Sequence, residues 1–190
     1  MRRPPRGYTD SFRIIGGQHR GRRFHFPPLA GLRPTPDRVR QTLFDWLAPM
    51  IHGARCLDLF AGSGALGLEA ISRGAAAVTF VEREREALDA LREHLATLGA
   101  TAETCFGDAL STLPTLNGRY DIVFVDPPFD SDLRGRVLDA LVAADRLSPG
   151  GLIYVEGPAD LPPPQHEGFE LHRSKRAGNV GYHLLRRGLR

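Results

Sequence analysis

The stretch Cys56-Leu57-Asp58-Leu59-Phe60-Ala61-Gly62-Ser63-Gly64-Ala65-Leu66-Gly67 decides the fold of this 190-residue chain. Its apolar beginning predicts a buried strand, and the segment that follows Gly64 predicts a helix. Gly62, Gly64 and Gly67 have the spacing that lets a backbone turn approach a nucleoside and lets the helix pack closely on the sheet. The stretch therefore predicts an α/β fold with a nucleoside cofactor at the turn.

Strand and helix patterns continue to alternate after this stretch, which predicts a parallel sheet covered by helices on both faces. Two alternating runs at 169–173 and 182–186 predict an antiparallel hairpin at the edge of that sheet. The predicted strands are 55–60, 77–82, 102–106, 120–126 and 151–156, and the predicted helices are 65–73, 84–98, 132–145 and a short one near 109–113.

The segment before the glycine stretch has a different character. Residues 12–15 and 22–26 predict a β-hairpin with a basic, glycine-containing loop. A helix follows, with Thr35 as its predicted N-cap and Pro36 at its first helical position. We therefore divide the chain into a mobile basic tail (1–11), a hairpin extension (12–34) and one main domain (35–190). The buried stripe predicted for the helix consists of Val39, Leu43, Trp46, Leu47 and Met50.

The net charge of +3 conceals an uneven distribution. Residues 1–40 contain ten arginines and two acids, residues 171–190 contain six basic residues and no acid, and the segment between them has an excess of acids. Basic ends on an acidic body predict a polyanionic partner, although solvated arginines without a ligand are the alternative for the hairpin. The residues predicted to contact this partner are Arg13, Arg20, Arg22, Arg23, Arg33, Arg38 and Arg40.

Cysteine usage and hydropathy indicate where the chain works. Cys56 and Cys105 have no metal-ligand spacing and fall in predicted strands. We therefore expect buried thiols in a reducing compartment and no metal site. The sequence has neither a signal-peptide pattern nor an apolar run of membrane-spanning length. These features predict a soluble cytoplasmic protein, with a monomer as the default.

Three acids stand at the ends of three successive predicted strands. Asp58 precedes the glycine turn, Glu82 ends the next strand, and Asp108 follows the third. Glu82 is placed to accept hydrogen bonds from ribose hydroxyls, and Asp108 is placed to accept one from an adenine amino group. NAD would use the turn for its pyrophosphate. S-adenosylmethionine instead carries an ammonium group that Asp58 can pair with, so we expect the methyl donor.

The run Tyr120–Val125 predicts another buried strand, and Asp126-Pro127-Pro128-Phe129 follows it directly. The two prolines end the strand in a stiff turn, because neither donates a backbone hydrogen bond and each has a fixed φ. We call these four residues the proline turn. It offers a carboxylate, rigid carbonyls and an aromatic ring at the edge where α/β sheets bind ligands. A planar base with an exocyclic amino group would use all three.

The glycine stretch, Glu82, Gly107-Asp108-Ala109 and the proline turn together resemble the class I S-adenosylmethionine-dependent amino methyltransferases. Flanking segments narrow the resemblance to the RsmD family, from about Phe12 to the end of the chain. These segments are Arg13-Ile14-Ile15-Gly16-Gly17, Gly21-Arg22-Arg23, Gly31-Leu32-Arg33-Pro34-Thr35, Asp37-Arg38-Val39-Arg40, Thr42-Leu43-Phe44 and Gly178-Asn179-Val180-Gly181-Tyr182. The family implies a Rossmann-like fold with a mostly parallel seven-stranded sheet. It also implies methylation of a guanine N2 amino group in bacterial 16S ribosomal RNA.

The resemblance implies roles for individual residues. Asp126 and the Pro127 carbonyl would each accept one N–H of the target amino group, in the turn that Pro128 stiffens, and Phe129 would stack on the base. Asp126 is also a candidate to take the departing proton, with water as the alternative acceptor. The target is expected to be unpaired or flipped out, on an assembled or nearly assembled small subunit. The cofactor would lie against Asp58, Phe60, Ala61, Gly62, Ser63, Gly64, Glu82, Asp108 and Ala109.

Three other functions are compatible with part of the pattern. Methylation of an adenine or cytosine amino group in DNA or RNA uses similar tetrapeptides, but no added target-recognition domain is visible. An NAD-dependent oxidoreductase would use the glycines, but the chain lacks a candidate hydride-site pair such as His with Arg near a strand end. An RNA-binding module without catalysis would not need the acids and the proline turn.

Overall fold

The computed structural model describes residues 7–28, 34–128 and 132–188 of the chain. Within these residues, no helix is long and apolar enough to cross a bilayer. The strands are β1 (Asp10–Arg13), β2 (Arg23–Phe26), β3 (Arg55–Asp58), β4 (Ala77–Glu82), β5 (Glu103–Phe106), β6 (Tyr120–Val125), β7 (Leu147–Pro158), β8 (Phe169–Ala177) and β9 (Val180–Arg187). The helices are α1 (Asp37–Leu47), α2 (Ala65–Ser72), α3 (Arg85–Leu98), α4 (Ala109–Thr112) and α5 (Leu133–Ala143), with a 3-10 turn at Leu113–Thr115.

Seven strands form one sheet in the order β5-β4-β3-β6-β7-β9-β8, and β1 and β2 form a separate hairpin. Neighbours from β5 to β7 are parallel, whereas β9 runs antiparallel to both β7 and β8. The predicted mostly parallel seven-stranded sheet with an antiparallel edge hairpin is confirmed. β7 starts earlier than predicted, since Leu147 already pairs with Tyr120 across a register shift.

Two cores cover the two faces of the sheet. α1, α2, α3 and the N-terminal hairpin pack on one face, around Phe80, Phe124 and Tyr154. α4 and α5 pack on the other face, around Val123 and Val155. We call these the hairpin face and the α5 face. Because side chains alternate along a strand, consecutive residues at a strand end serve opposite faces.

The predicted stripe of α1 is confirmed only in part. Val39, Leu43 and Leu47 are buried. Trp46 is partly buried and covers the margin of the sheet, where its ring stacks on Tyr182 of β9 at a centroid distance of 5.5 Å. Met50, also predicted for the stripe, lies beyond the end of α1 and is partly buried. The stripe therefore ends where the helix reaches the sheet margin.

The two cysteines differ in exposure. Cys56 is fully buried in β3, as predicted. Cys105, also predicted to be buried, is only partly buried. It belongs to β5, which is an edge strand of the sheet and has a neighbour on one side only. Position in the sheet rather than residue type decides the exposure of this thiol.

The N-terminal hairpin shares the main hydrophobic core. Phe12 and Phe24 are buried, and their ring centroids lie 5.8 Å apart. Phe24 also packs against His94 of α3 at 4.7 Å, and His94 Nε2 lies 2.9 Å from the carbonyl oxygen of His25. β1 begins at Asp10, slightly before the predicted start of the hairpin. The hairpin is therefore packed on α3 along its apolar side.

A buried carboxylate on α2 anchors the hairpin. Glu69 is fully buried, and its two oxygens accept the backbone N–H groups of Ile15 and Gly16, each at 2.8 Å. Arg73 Nε donates to the same carboxylate at 2.8 Å, and Arg40 Nη1 lies 3.7 Å from it. Charge-assisted hydrogen bonds of this kind are stronger than neutral ones. They determine the path of the chain after β1.

Arg40 does not have the role predicted for it. Its side chain is fully buried; Nε donates to the Thr35 carbonyl oxygen at 3.0 Å, and Nη2 donates to Asp37 at 2.6 Å. Burial lowers the pKa of Arg40, while Asp37 and Glu69 oppose the change. These two acids make a buried guanidinium tolerable. The prediction that Arg40 contacts RNA is therefore wrong.

We expect Glu69→Gln to destabilise the fold by about 3–5 kcal/mol, because it removes one partner of a buried ion pair. The amide would also present hydrogens to one of the two backbone N–H groups that the carboxylate accepts. Equilibrium unfolding in urea measures the change in the free energy of unfolding.

The exposed ion pair of Asp89 and Arg92 on α3, with 3.1 Å between its atoms, offers a control. Asp89→Asn should change the free energy of unfolding by less than about 1 kcal/mol. Equal changes in the two variants would contradict the anchoring role of Glu69.

Candidate active site

Five acids stand at the carboxyl ends of five neighbouring strands. In sheet order they are Asp108 after β5, Glu82 in β4, Asp58 in β3, Asp126 after β6 and Glu156 in β7. Parallel strands end at the same edge of a sheet, so the fold brings the four predicted acids together. Glu156 was not predicted, although it ends the predicted strand 151–156 in the same way as Glu82 ends its own.

Backbone conformation or close packing requires glycine at each of the three glycine positions of the turn between β3 and α2. Gly62 has a φ of 52° and Gly64 a φ of 80°, in the left-handed region that favours glycine. A Cβ at Gly67 would lie 2.1 Å from Cε1 of Phe80. The third glycine therefore lets α2 pack directly on β4, as the spacing predicts.

Glu82 supports this glycine turn from the neighbouring strand. Its Oε2 accepts the N–H of Gly62 at 2.7 Å, and its Oε1 accepts the N–H of Glu84 at 2.7 Å. A carboxylate has about four acceptor positions. Acceptor capacity for ribose hydroxyls is therefore left after these two bonds, and the ribose contact stays a prediction.

Asp58 lies beneath the glycine turn with 1% of its surface exposed. One of its oxygens accepts the N–H of Gly67 at 3.1 Å. Burial raises the pKa of Asp58 to about 7, backbone hydrogen bonds oppose the rise, and the charge of Glu82 adds to it. A cation bound at the turn would favour the ionised carboxylate. The electrostatics of this position therefore suit the predicted ammonium group.

Asp108 is exposed and is the N-cap of α4. Its Oδ1 accepts the N–H groups of Leu110 at 2.9 Å and Ser111 at 3.2 Å. These bonds use one oxygen, so the other can face a ligand. The remaining predicted cofactor residues belong to the same edge of the sheet: Ala61, Ser63 and Ala109 are buried, and Phe60 is partly buried.

The proline turn follows β6 directly, as predicted. Asp126 is partly buried, Pro127 is buried and Pro128 is exposed. Phe129, the predicted stacking residue, lies outside the described residues. The described part of the turn thus presents a carboxylate and rigid backbone at the edge of the sheet.

A buried network joins the proline turn to the segment before α1. The Thr35 hydroxyl donates to Glu156 Oε1 at 2.9 Å and lies 3.5 Å from Asp126 Oδ2. The Tyr154 hydroxyl donates to the same Glu156 oxygen at 2.6 Å. Glu156 is 3% exposed. Its carboxylate is therefore held by two hydroxyl groups next to Asp126.

The predicted N-cap role of Thr35 is wrong. α1 begins at Asp37 with Pro36 at the N-cap position, and no side chain in the described part of the chain caps it. The hydroxyl of Thr35 donates to the buried carboxylate of Glu156 instead, and hydrogen bonds to a charged group are stronger than neutral ones. The sequence pattern is that of a cap, but the tertiary partner decides the bond.

Asp126 and Glu156 differ in the hydrogen bonds that they accept. Burial raises the pKa of Asp126 well above its usual value, and the charges of Glu156 and Asp58 raise it further. Burial also raises the pKa of Glu156, but the hydrogen bonds from Tyr154 and Thr35 oppose that rise. Ionised Glu156 is therefore the better stabilised of the two.

Most of the predicted RNA-contacting arginines are exposed. Arg13 donates to Asp37 at 2.9 Å, at the start of α1. Arg22 donates to the carbonyl oxygen of Thr97, near the end of α3, at 3.2 Å. Arg33 lies outside the described residues. The exposed members of the set are Arg13, Arg20, Arg22, Arg23 and Arg38.

The hairpin loop lies away from the proline turn. The N–H of Gln18 donates to the carbonyl oxygen of Ser72, the last residue of α2, at 2.8 Å. α2 and α3 both start at the edge of the sheet that carries the five acids and run away from it. The loop that contacts the ends of these helices therefore lies toward the opposite edge of the sheet. Arg20 and Arg22 are not brought together with Asp126.

The site favours two kinds of ligand at once. A row of carboxylates attracts positive charge and repels a pyrophosphate, so the glycine turn suits a cationic nucleoside better than NAD. The carboxylate of Asp126 accepts N–H groups, which suits an amino-bearing base at the proline turn. The glycine turn follows β3 and the proline turn follows β6, and these strands are direct neighbours. The two ligands would therefore meet.

Known proteins share this sequence and this fold. The family model described as Conserved hypothetical protein 95 matches residues 12–186. The chain is 47% identical to Ribosomal RNA small subunit methyltransferase D of Escherichia coli strain K12, over 98% of this chain and 96% of that protein. It is 42% identical to the protein of the same name from Haemophilus influenzae, over 90% of this chain and 92% of that protein.

A solved structure gives the same result. An Escherichia coli chain, described provisionally as the methyltransferase yhhF, superposes with a TM-score of 0.88 at 47% identity. The match covers 95% of this chain and 100% of that chain. The chain therefore belongs to the Conserved hypothetical protein 95 family, which is the RsmD family that its motifs indicated.

Proposed function

We propose that this protein transfers a methyl group from S-adenosylmethionine to the N2 amino group of an unpaired guanine in 16S ribosomal RNA. Relatives named as methyltransferases of small-subunit ribosomal RNA support the reaction and the class of RNA. The motif resemblance supports guanine N2 as the acceptor. The observation that carries the proposal is the position of Asp126, a carboxylate of raised pKa beside the glycine turn.

The glycine turn and its carboxylates fit the methyl donor. When bound, S-adenosylmethionine supplies an electrophilic methyl group on a positively charged sulfur. Asp58 would favour its ammonium group, Glu82 would accept from its ribose hydroxyls, and Asp108 would accept from its adenine amino group. Residues that belong to three adjacent strands, β3, β4 and β5, would thus hold one elongated ligand along the edge of the sheet.

The proline turn suits the chemistry of the acceptor. An exocyclic guanine nitrogen is a weak nucleophile, because its lone pair is delocalised into the ring. Ionised Asp126 and the Pro127 carbonyl can each accept one N–H, which turns the lone pair toward the methyl group. The nitrogen gains the methyl group and loses one proton, which Asp126 is placed to accept. Alignment of this kind supplies a large part of many enzymatic rate enhancements.

Glu156 acts on the reaction through Asp126. Its negative charge raises the pKa of Asp126, which makes the ionised Asp126 a better proton acceptor near neutral pH. Tyr154 and Thr35 donate to Glu156 and thereby favour its ionised form. Glu156 is therefore a positioning and tuning residue with no proposed contact to the base.

The proposed RNA surface includes both edges of the domain. Arg13 and Arg38, at the start of α1, lie on the side of the proline turn, whereas Arg20 and Arg22 lie toward the opposite edge. An assembled small subunit is large enough to contact both. We propose that the protein acts on such a particle, as a monomer in the cytoplasm.

Incubation with labelled S-adenosylmethionine and small subunits that lack the modification tests this function. We expect label in 16S ribosomal RNA, on the N2 amino group of one guanine, located by nuclease mapping and mass spectrometry. Label on an adenine or a cytosine would show that this base, and not guanine, is the methyl acceptor. No label on free or assembled ribosomal RNA would contradict the function.

Asp126→Ala tests the role of this carboxylate in methyl transfer. We expect kcat to fall at least about 100-fold, because the amino group loses the acceptor that orients it. The dissociation constant for S-adenosylmethionine should stay within about threefold, since Asp126 is not proposed to contact the cofactor. A comparable loss of cofactor affinity would show that Asp126 supports the cofactor site instead.

Glu82→Gln should weaken S-adenosylmethionine binding about tenfold, because a charged acceptor for the ribose hydroxyls is lost. Since Glu82 also supports Gly62, a 2′-deoxy analogue of the cofactor separates the two effects. The wild type should bind the analogue less well than the parent, and this difference should be smaller in the variant, because its amide oxygen is a weaker acceptor than the carboxylate. Isothermal titration calorimetry measures both. If wild type and variant discriminate equally, the ribose contact is refuted.

The pH profile of kcat/KM should have an acidic limb above the range of an ordinary carboxyl group, because Asp126 must be ionised to accept N–H groups and its pKa is raised. Glu156→Gln removes a neighbouring negative charge and thereby lowers the pKa of Asp126. We therefore expect the limb to move to lower pH in this variant.

Glu170→Gln serves as the control for this shift, since Glu170 is an exposed residue of the edge strand β8. Its acidic limb should coincide with that of the wild type. An unchanged limb in Glu156→Gln would show that Glu156 does not tune Asp126.

A further inference from the structure

Two buried polar atoms near the edge of the sheet that carries the five acids have no partner among the described residues. They are Nη1 of Arg134 on α5 and Nε2 of His183 on β9, and neither has a hydrogen bond within the described part of the chain. His183 is 2% exposed. Buried polar groups in native proteins are nearly always hydrogen-bonded, so two such atoms on one face of the sheet indicate a missing ligand.

A pair of glycines creates the space in which these atoms lie. Gly157 of β7 and Gly181 of β9 are direct partners in the antiparallel ladder. A Cβ at Gly157 would lie 2.6 Å from Arg134 Nη1, and a Cβ at Gly181 would lie 3.2 Å from His183 Nε2. The two polar atoms therefore lie above the same step of the ladder, on the α5 face.

Positive charge dominates this space. Burial lowers the pKa of His183, and the charges of Arg134 and Arg176 lower it further. Arg176 of β8 is the register partner of Gly181, so it stands on the same face as His183. Two guanidinium groups thus face an imidazole and favour its neutral form. The space has the charge of an anion site.

The other ring nitrogen of His183 contacts a hydroxyl group. Nδ1 lies 2.9 Å from the hydroxyl of Ser174, which can donate to it. When the hydroxyl donates to Nδ1, Nε2 carries the hydrogen and is a donor. Arg134 also only donates, so the two groups cannot satisfy each other. An anion that accepts from both would satisfy them.

The space lies next to the catalytic turn. Gly157 follows Glu156 in β7, and β7 is the direct neighbour of β6, which Asp126 follows. Adjacent strands are about 4.8 Å apart. An anion at this point would stand about one strand from Asp126, on the face opposite to Thr35. Arg134 also lies in the first turn of α5, where the helix dipole favours negative charge.

We propose that Arg134, His183 and Arg176 bind a phosphate group of the RNA strand that carries the target base. This inference rests on the proposed function. The backbone of a base that reaches Asp126 must pass close to the proline turn, whereas Arg20 and Arg22 of the hairpin lie toward the opposite edge. The site would hold the strand beside the flipped nucleotide and so position its amino group.

Nitrogen-15 NMR of the histidine side chains tests the anion site without RNA. In the wild type, Nε2 of His183 should have the chemical shift of a protonated nitrogen and Nδ1 that of an unprotonated one. Inorganic phosphate should move the Nε2 resonance in a saturable way, and Arg134→Gln should abolish the response. An Nδ1–H tautomer, or no response to phosphate, would overturn the site.

RNA binding tests the assignment to the nucleic acid strand. Arg134→Gln should weaken binding of an unmodified 16S ribosomal RNA transcript. It should also lower the slope of log affinity against log salt concentration by about 0.7–0.9, as expected for one lost phosphate contact. Arg136→Gln is the matched control, since Arg136 is exposed on the same helix and pairs with Asp132 at 3.4 Å. It should leave the affinity and the slope unchanged.

The results separate this inference from the proposed function. Cofactor affinity and thermal unfolding should be equal in the two variants, which excludes a general loss of structure. If the wild type methylates ribosomal RNA but Arg134→Gln binds RNA as Arg136→Gln does, only the phosphate assignment is overturned. If the wild type labels no ribosomal RNA, the proposed function fails, and the NMR result still decides whether the anion site exists.

Discussion

The buried carboxylate of Glu69 is the interaction on which the rest of this structure depends. It accepts two N–H groups of the hairpin and lies 3.7 Å from Arg40. Arg40 donates to the Thr35 carbonyl oxygen at 3.0 Å, and the Thr35 hydroxyl donates to Glu156 at 2.9 Å. A chain of polar contacts thus joins the hairpin to the proline turn. Because a buried charge is stable only while its partner is present, the hairpin, the start of α1 and the active site depend on one another.

The edge of the sheet that carries the five acids concentrates negative charge in a partly buried place. Burial and mutual repulsion raise the pKa values of Asp58 and Asp126, because each ionised group is both desolvated and close to another acid. A cationic methyl donor and an amino-bearing base would each favour the ionised forms. Ligand binding and ionisation are therefore coupled. This coupling explains how neighbouring strand ends can carry buried acids.

Much of the site was predictable, because its signals are local. The glycine spacing indicated the turn, and Gly67 packs on Phe80 as that spacing requires. Asp58, Glu82, Asp108 and Asp126 were found from their places at strand ends, and parallel strands end at one edge. Glu156 carried the same signal at the end of a predicted strand. It was not predicted because no glycine or proline turn motif accompanies it, unlike Asp58 and Asp126.

The sequence by itself determined the order of strands and helices, the glycine and proline turns and the family, because these follow from periodicity, backbone geometry and short motifs. The tertiary structure alone decided which polar groups are buried and which partners they find. Arg38 and Arg40 are two residues of one basic motif, yet only Arg40 meets Glu69 and Asp37 and is buried. Thr35 stands in the sequence where a helix N-cap is expected, but its hydroxyl donates to Glu156. Such choices depend on the surface that packs against a residue, and no local pattern contains that surface.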